Sequence, residues 1–123
     1  MKILYLVKKE TFFKKMSRVR FHGIKALEKL AEVSYSGIGW DNYDNNLTVQ
    51  ENIDNIGIKF DAAIAYKPLE LKDFKSVNCV KVVRYNEMYD YNWTLKEIVE
   101  SGAQLVICHH LNDCDTYINN FYD

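Results

Sequence analysis

Of 123 residues only three are cysteine, one is proline, five are glycine and three are arginine. Three cysteines cannot form a closed set of disulfides, so a disulfide-stapled miniprotein is excluded and a reducing, cytoplasmic setting is expected. So little proline and glycine excludes collagen-like and long disordered chains. The longest opening apolar run is Ile3 to Val7, ahead of Lys8 and Lys9. That is too short for a signal peptide, and no run approaches the roughly 18 apolar residues that span a bilayer, so no transmembrane segment is expected. Sixteen basic against seventeen acidic side chains leave a net charge of −1. A general nucleic-acid partner is therefore excluded, because the field such partners require is missing.

What remains is apolar enough for one core, at 48% hydrophobic residues, and long enough to bury roughly two-thirds of its surface without a staple. Residues 1–123 are read as a single domain. Runs rich in β-branched and other apolar residues recur at Ile3 to Val7, Glu32 to Ser36, Phe60 to Tyr66, Cys79 to Arg84 and Gln104 to Cys108. Helical periodicity lies between them. Strands alternating with helices predict a Rossmann-like doubly wound α/β fold, with a parallel five-stranded sheet, helices on both faces and strand order 3-2-1-4-5.

From Met16 onward Val19, Gly23, Ala26, Leu27 and Leu30 share a helix face. Thr48 and Glu51 form a capping box opening a helix with the stripe Val49, Ile53 and Ile56, which Gly57 ends. Thr94 and Glu97 repeat the box, with Trp93 stapled on Ile98 and Gly102 as the stop. A short helix is expected over residues 69–74 and a terminal one over 113–121.

Ligands of open parallel sheets collect beyond the carboxyl ends of the strands. That rule selects Lys8 after strand one, Gly37, Gly39 and Trp40 after strand two, and Tyr66 after strand three. It also selects residues 85–92 after strand four and 109–113 after strand five. Tyr85, Tyr89, Tyr91 and Trp93 stand beside Asn86, Glu87 and Asp90, and aromatic faces next to carboxylates and amides suit a polyhydroxylated ligand. The competing reading has these tyrosines roofing the sheet.

Several chemistries are excluded. The glycines at 37 and 39 follow the second strand, so they are no dinucleotide fingerprint, and no phosphate-loop motif occurs. A phosphoacceptor receiver domain needs an acidic pair after strand one and an Asp at the end of strand three. This chain has Lys8, Lys9 and Tyr66 there. Cys108, His109, His110 and Cys114 lack the separated ligand pairs of structural zinc, so no metal is expected. One of the two histidines is expected in the cleft as a base or hydrogen-bonding group, and His22 is read as a packed histidine.

Taken in order, six segments resemble the amino-terminal domain of GT-B fold glycosyltransferases. They are residues 2–7, 17–23 (Ser-Arg-Val-Arg-Phe-His-Gly), 37–41 (Gly-Ile-Gly-Trp-Asp), 60–68 (Phe-Asp-Ala-Ala-Ile-Ala-Tyr-Lys-Pro), 84–90 (Arg-Tyr-Asn-Glu-Met-Tyr-Asp) and 109–113 (His-His-Leu-Asn-Asp). The resemblance covers essentially the whole chain. It implies an acceptor-side domain for sugar transfer from a nucleotide-sugar to a carbohydrate or other hydroxyl acceptor, with no obligatory cofactor or ion. Glu87, Asp90, His109 and His110 are then the candidates for orienting or deprotonating the acceptor. Lys8, Gly37, Gly39, Trp40, Tyr66, Tyr85, Asn86, Tyr89, Asn112 and Asp113 are the candidates for binding it. The family's second, donor-binding domain has no counterpart in these residues, so the chain alone is expected to be inactive and to meet a nucleotide-sugar only with such a domain or partner. The alternative is a non-catalytic Rossmann-like binding or interaction module.

Overall fold

The computed structural model describes residues 1–14, 19–85 and 91–108, with backbone alone for 19–22 and 91. Five strands, β1 (Lys2–Leu6), β2 (Glu32–Ser36), β3 (Ala62–Ala65), β4 (Val80–Arg84) and β5 (Leu105–Ile107), pair in parallel throughout. The helices are α1 (Lys9–Lys14), α2 (Val19–Leu30), α3 (Val49–Ile56) and α4 (Tyr91–Ser101). The α/β class and the five strand positions are as read from the sequence.

The strand order is β2-β1-β3-β4-β5, which corrects the expected 3-2-1-4-5. The physical reason lies in the strands themselves. Ala62–Ala65 is wholly apolar, three alanines and Ile64, with Ala63 and Ala65 at 0% exposure, the signature of a strand buried on both faces between neighbours. Glu32–Ser36, with Glu, Ser, Tyr and Ser, tolerates a partly wet edge and takes it. The chain therefore leaves β1 in one direction to form β2, then returns past β1 to form β3. Right-handed crossovers in opposite directions put the intervening helices on opposite faces.

Two apolar layers result. Leu4, Leu6, Ala63, Ala65 and Val83 face Val49 and Ile53 of α3, together with Phe60, Phe74 and Val77. Ile3, Tyr5, Val7, Ile64 and Val82 face Ile24 of α2. The alternation along β1 divides its residues between the layers, as a period of two requires.

Local signals were realised unevenly. The Thr48 hydroxyl accepts from the Glu51 amide and the Glu51 carboxylate accepts from the Thr48 amide, both at 3.1 Å, and Gly57 closes α3 at φ 76°. The second box is not used. The helix starts at Tyr91, so Thr94 falls inside it, and Glu97 turns inward to other partners. Trp93 is likewise a residue of the helix and not the one before its cap, about half exposed with the Lys96 ammonium 5.4 Å from its ring centre, so the expected staple position is not realised. Gly102 does stop the helix, at φ 66°. The expected helix over 69–74 is instead two 3-10 turns, Pro68–Glu70 and Phe74–Ser76. The terminal helix expected over 113–121 lies outside the described residues. No helix among the described residues is long and apolar enough to cross a membrane.

Leu4 is 1% exposed at the centre of the first layer. Leu4→Ala is expected to cost about 3 kcal/mol and Thr48→Ala about 1 kcal/mol, each read as a lower urea midpoint at unchanged slope.

Candidate functional site

The reversal of strand order falls between β1 and β3, and such a point opens a crevice beyond the carboxyl ends of the two strands. Here it is lined by Val7, Lys8, Thr11, Ile38, Tyr66, Lys67 and Glu70 among others, and encloses about 70 Å³. That is room for roughly a handful of waters, hence for one small group of a ligand rather than all of it. The Lys8 ammonium and the Glu70 carboxylate meet across it at 3.0 Å, both side chains partly exposed.

The wall on the β2 side is built from backbone. Val7 donates to the Ser36 carbonyl at 3.0 Å, Lys9 to Ile38 at 3.0 Å and Trp40 to Gly37 at 3.1 Å. Gly37 sits at φ 125°, and a Cβ there would stand 2.8 Å from the Val7 carbonyl oxygen. Only glycine permits that approach. The Trp40 indole N–H donates to the same carbonyl at 2.7 Å, closing the end of β1 with a side chain where no further strand partner exists.

Trp40 is itself enclosed. Its ring stacks on Tyr35 with centroids 6.0 Å apart, meets Phe12 edge-on at 5.5 Å and has Phe13 at 6.1 Å. The Lys9 ammonium lies 5.9 Å from its centroid. Phe12 and Phe13 come from α1, a helix that the sequence reading missed because its six residues bury no side chain and its regularity rests on a Glu10–Lys14 ion pair at 2.6 Å. The signal for the cluster was the Phe12–Phe13 pair just after a strand.

Tyr85 follows β4 and is not among the residues that line the crevice. Its hydroxyl donates to Glu97 of α4, a carboxylate 5% exposed that also accepts the Leu69 amide at 3.4 Å. This tyrosine ties β4, α4 and the turn after β3 together, which is the roofing role. Lys8, Gly37, Gly39, Trp40 and Tyr66 thus gather at one rim of the sheet. Asn86, Glu87, Tyr89, Asp90, His109, His110, Asn112 and Asp113 lie outside the described residues, as does Cys114.

Burial and its hydrogen bond to Glu28 raise the Tyr35 pKa well above the tyrosine range, while that same hydroxyl lowers Glu28. At the opposite end of the sheet a wider, shallower hollow of about 670 Å³ is lined by Gln50, Asp54, Phe60, Asp61 and Cys79. Three of its polar side chains are engaged, Gln50 by the Asn78 amide at 2.9 Å, Asp54 by the Gln50 side-chain amide at 2.9 Å and Asp61 by the Lys2 amide at 2.8 Å. Burial pushes the Cys79 thiol up, away from the reactive thiolate.

Comparison with protein-family models, curated proteins and solved structures gave no match for this chain.

Gly37→Ala combines a forbidden φ with a steric clash and is expected to cost about 2–3 kcal/mol. Gly57→Ala, at φ 76° with open space around it, should cost only about 1 kcal/mol; urea denaturation of the two variants checks the difference. Alkaline pH tests Tyr35. Its folded pKa exceeds the unfolded value of 10.0, so above pH 10 the unfolded chain loses a proton that the folded one keeps, and stability falls as pH rises toward the folded value. Tyr35→Phe is expected to flatten that decline, measured as melting temperature between pH 8 and 11.

Proposed function

We propose that this chain is the acceptor-side domain of a glycosyltransferase of the GT-B type, serving transfer of a sugar from a nucleotide-sugar to a hydroxyl acceptor in the cytoplasm. The observation that carries the reading is the convergence of the family-like segments. Val7, Gly37-Ile38-Gly39-Trp40 and Tyr66-Lys67-Pro68 belong to three of them, and all three adjoin the crevice at the β1/β3 reversal. The order 2-1-3-4-5 retains the reversal that a ligand site of this kind requires.

In this reading the crevice takes one group of the acceptor, and the remainder lies along the rim toward the loop after β4. The acceptor hydroxyl must lose its proton as it attacks the anomeric carbon while the sugar–phosphate bond breaks. Glu87, Asp90, His109 and His110 are the groups proposed to orient it or take that proton. Neutralising the leaving diphosphate is the task of a donor-binding domain, so the 123-residue chain supplies acceptor binding and not turnover.

The test pairs ligand-observed NMR with a turnover assay over a panel of nucleotide-sugars and hydroxyl acceptors. Saturable acceptor binding with a Kd of about 1 mM, equivalent to about −4 kcal/mol, is expected, with no sugar transfer. Glu87→Gln should weaken it several-fold with the circular dichroism spectrum unchanged, and Trp40→Ala should weaken it while also lowering the melting temperature, since its indole closes the end of β1. Turnover by the chain alone would overturn the division of labour. Absence of any acceptor signal would sink the glycosyltransferase reading and favour a non-catalytic binding module.

A further inference from the structure

Arg84 ends β4 with its side chain on the α2 face of the sheet, beside the layer formed by Tyr5, Ile24, Ile64 and Val82. Its Nη1 donates to the Tyr5 hydroxyl at 3.4 Å, a long bond to a neutral group. Its Nε is buried with no hydrogen-bond partner. Among the described residues no carboxylate lies within 4.0 Å of the guanidinium. Among the described residues, α2, which packs against it, offers none that is unengaged. The first turn of α2 has no acidic residue, and Glu28, further along the same helix, is held by Lys25 at 3.3 Å and by Tyr35.

A guanidinium cannot shed its proton to escape this position. The side chain is half-buried, and its enclosed part, Nε included, carries a desolvation penalty that one hydroxyl does not offset. The neighbouring backbone nevertheless makes room for it. Gly23 in α2 faces the guanidinium so closely that a Cβ would stand 3.2 Å from Nη2. Arg84 also stands at the carboxyl end of its strand, the end of the sheet at which ligands collect.

We propose that Arg84 is an oxyanion-binding residue, whose fork of N–H donors receives a phosphoryl or carboxylate group of a small-molecule ligand. Two oxygens of such a group match the guanidinium in a bidentate pair, which a lysine cannot reproduce. The ligand supplies the negative charge that Arg84 lacks among the described residues. This assignment rests on charge and packing at Arg84 and does not depend on the glycosyltransferase reading.

Arginine Nε–Hε resonances of the 15N-labelled chain test it directly. There are three arginines, and the Arg84 signal is the one missing from Arg84→Lys. Inorganic phosphate, glucose 1-phosphate, glucuronate and glucose are titrated separately. The Arg84 signal should shift saturably in the millimolar range with at least one phosphate or carboxylate probe, and not with glucose. Arg18 and Arg20 should show only unsaturable drift. A response to the phosphates alone marks a phosphoryl ligand, and one to glucuronate alone a carboxylate ligand. Arg84→Lys should weaken binding at least tenfold and Gly23→Ala several-fold.

Arg84→Met adds a thermal readout. Without anion it should melt a few degrees above the unsubstituted chain, because an uncompensated charge has been removed, and it should lose the phosphate-dependent rise in melting temperature. An Arg84 signal that never saturates with any charged probe overturns the proposal, whether or not the substituted chains fold. So does an Arg84→Met chain that melts lower and keeps the full response to phosphate.

Discussion

The carboxyl end of β1 is the constraint on which the arrangement turns. β1 is hydrogen-bonded on both sides, to β2 and to β3, and its residues feed both apolar layers. Where the strands part, one backbone carbonyl, that of Val7, is left between them. The fold satisfies it with the Trp40 indole N–H and passes the chain over it at a position where only glycine fits. The loop after β2 is thereby fixed against the start of α1, and the aromatic group of Phe12, Phe13, Tyr35 and Trp40 packs over the junction. The same parting opens the crevice, so closure of the strand end and formation of the candidate site are one event in the geometry.

The parts of the fold that depend on short-range chemistry were legible in the residues. Five strand runs stood where apolar and β-branched residues cluster, and the Thr48/Glu51 box and its glycine stop predicted α3 to the residue. The strand order was not legible from the strand runs alone, since any right-handed set of crossovers satisfies them. The information was in how polar each strand is. Ala62–Ala65 has nothing to offer water, and Glu32–Ser36 does. Weighing burial on both faces, rather than strand existence, separates a central strand from an edge strand.

The second capping box shows the same competition from the other side. Thr94 and Glu97 have the right spacing, yet each is about 95% buried inside α4. Glu97 does more for the fold by accepting from Tyr85 and from the Leu69 amide than by capping, because it then joins a strand end, a helix and a turn. Tertiary partners outbid a local motif whenever they satisfy more buried donors. Similarly, strand-end position alone nominated Tyr85 for a ligand, and its hydroxyl is taken up inside the protein. A residue at the functional rim is only a candidate until its polar atoms are shown to be unused.

That criterion, applied along the rim, separates the cations at this end of the sheet. Lys8 has Glu70 at 3.0 Å, in partly solvated surroundings where an ion pair contributes little and exchanges readily. Arg84 has a neutral hydroxyl at 3.4 Å and a buried N–H with nothing. Both belong to strand ends, but the second has a buried N–H without a partner and, among the described residues, no counter-charge. A sequence optimised for stability alone has no use for such a residue, and strain of this kind concentrates where a protein meets its ligand. Gly23 sharpens the point, since glycine weakens a helix interior relative to alanine by about 1 kcal/mol. Two residues that each cost stability, one on β4 and one on α2, meet at 3.2 Å measured to the Cβ that Gly23 lacks. Stability at one site alone would have removed either, whereas a requirement for a reachable guanidinium explains both together.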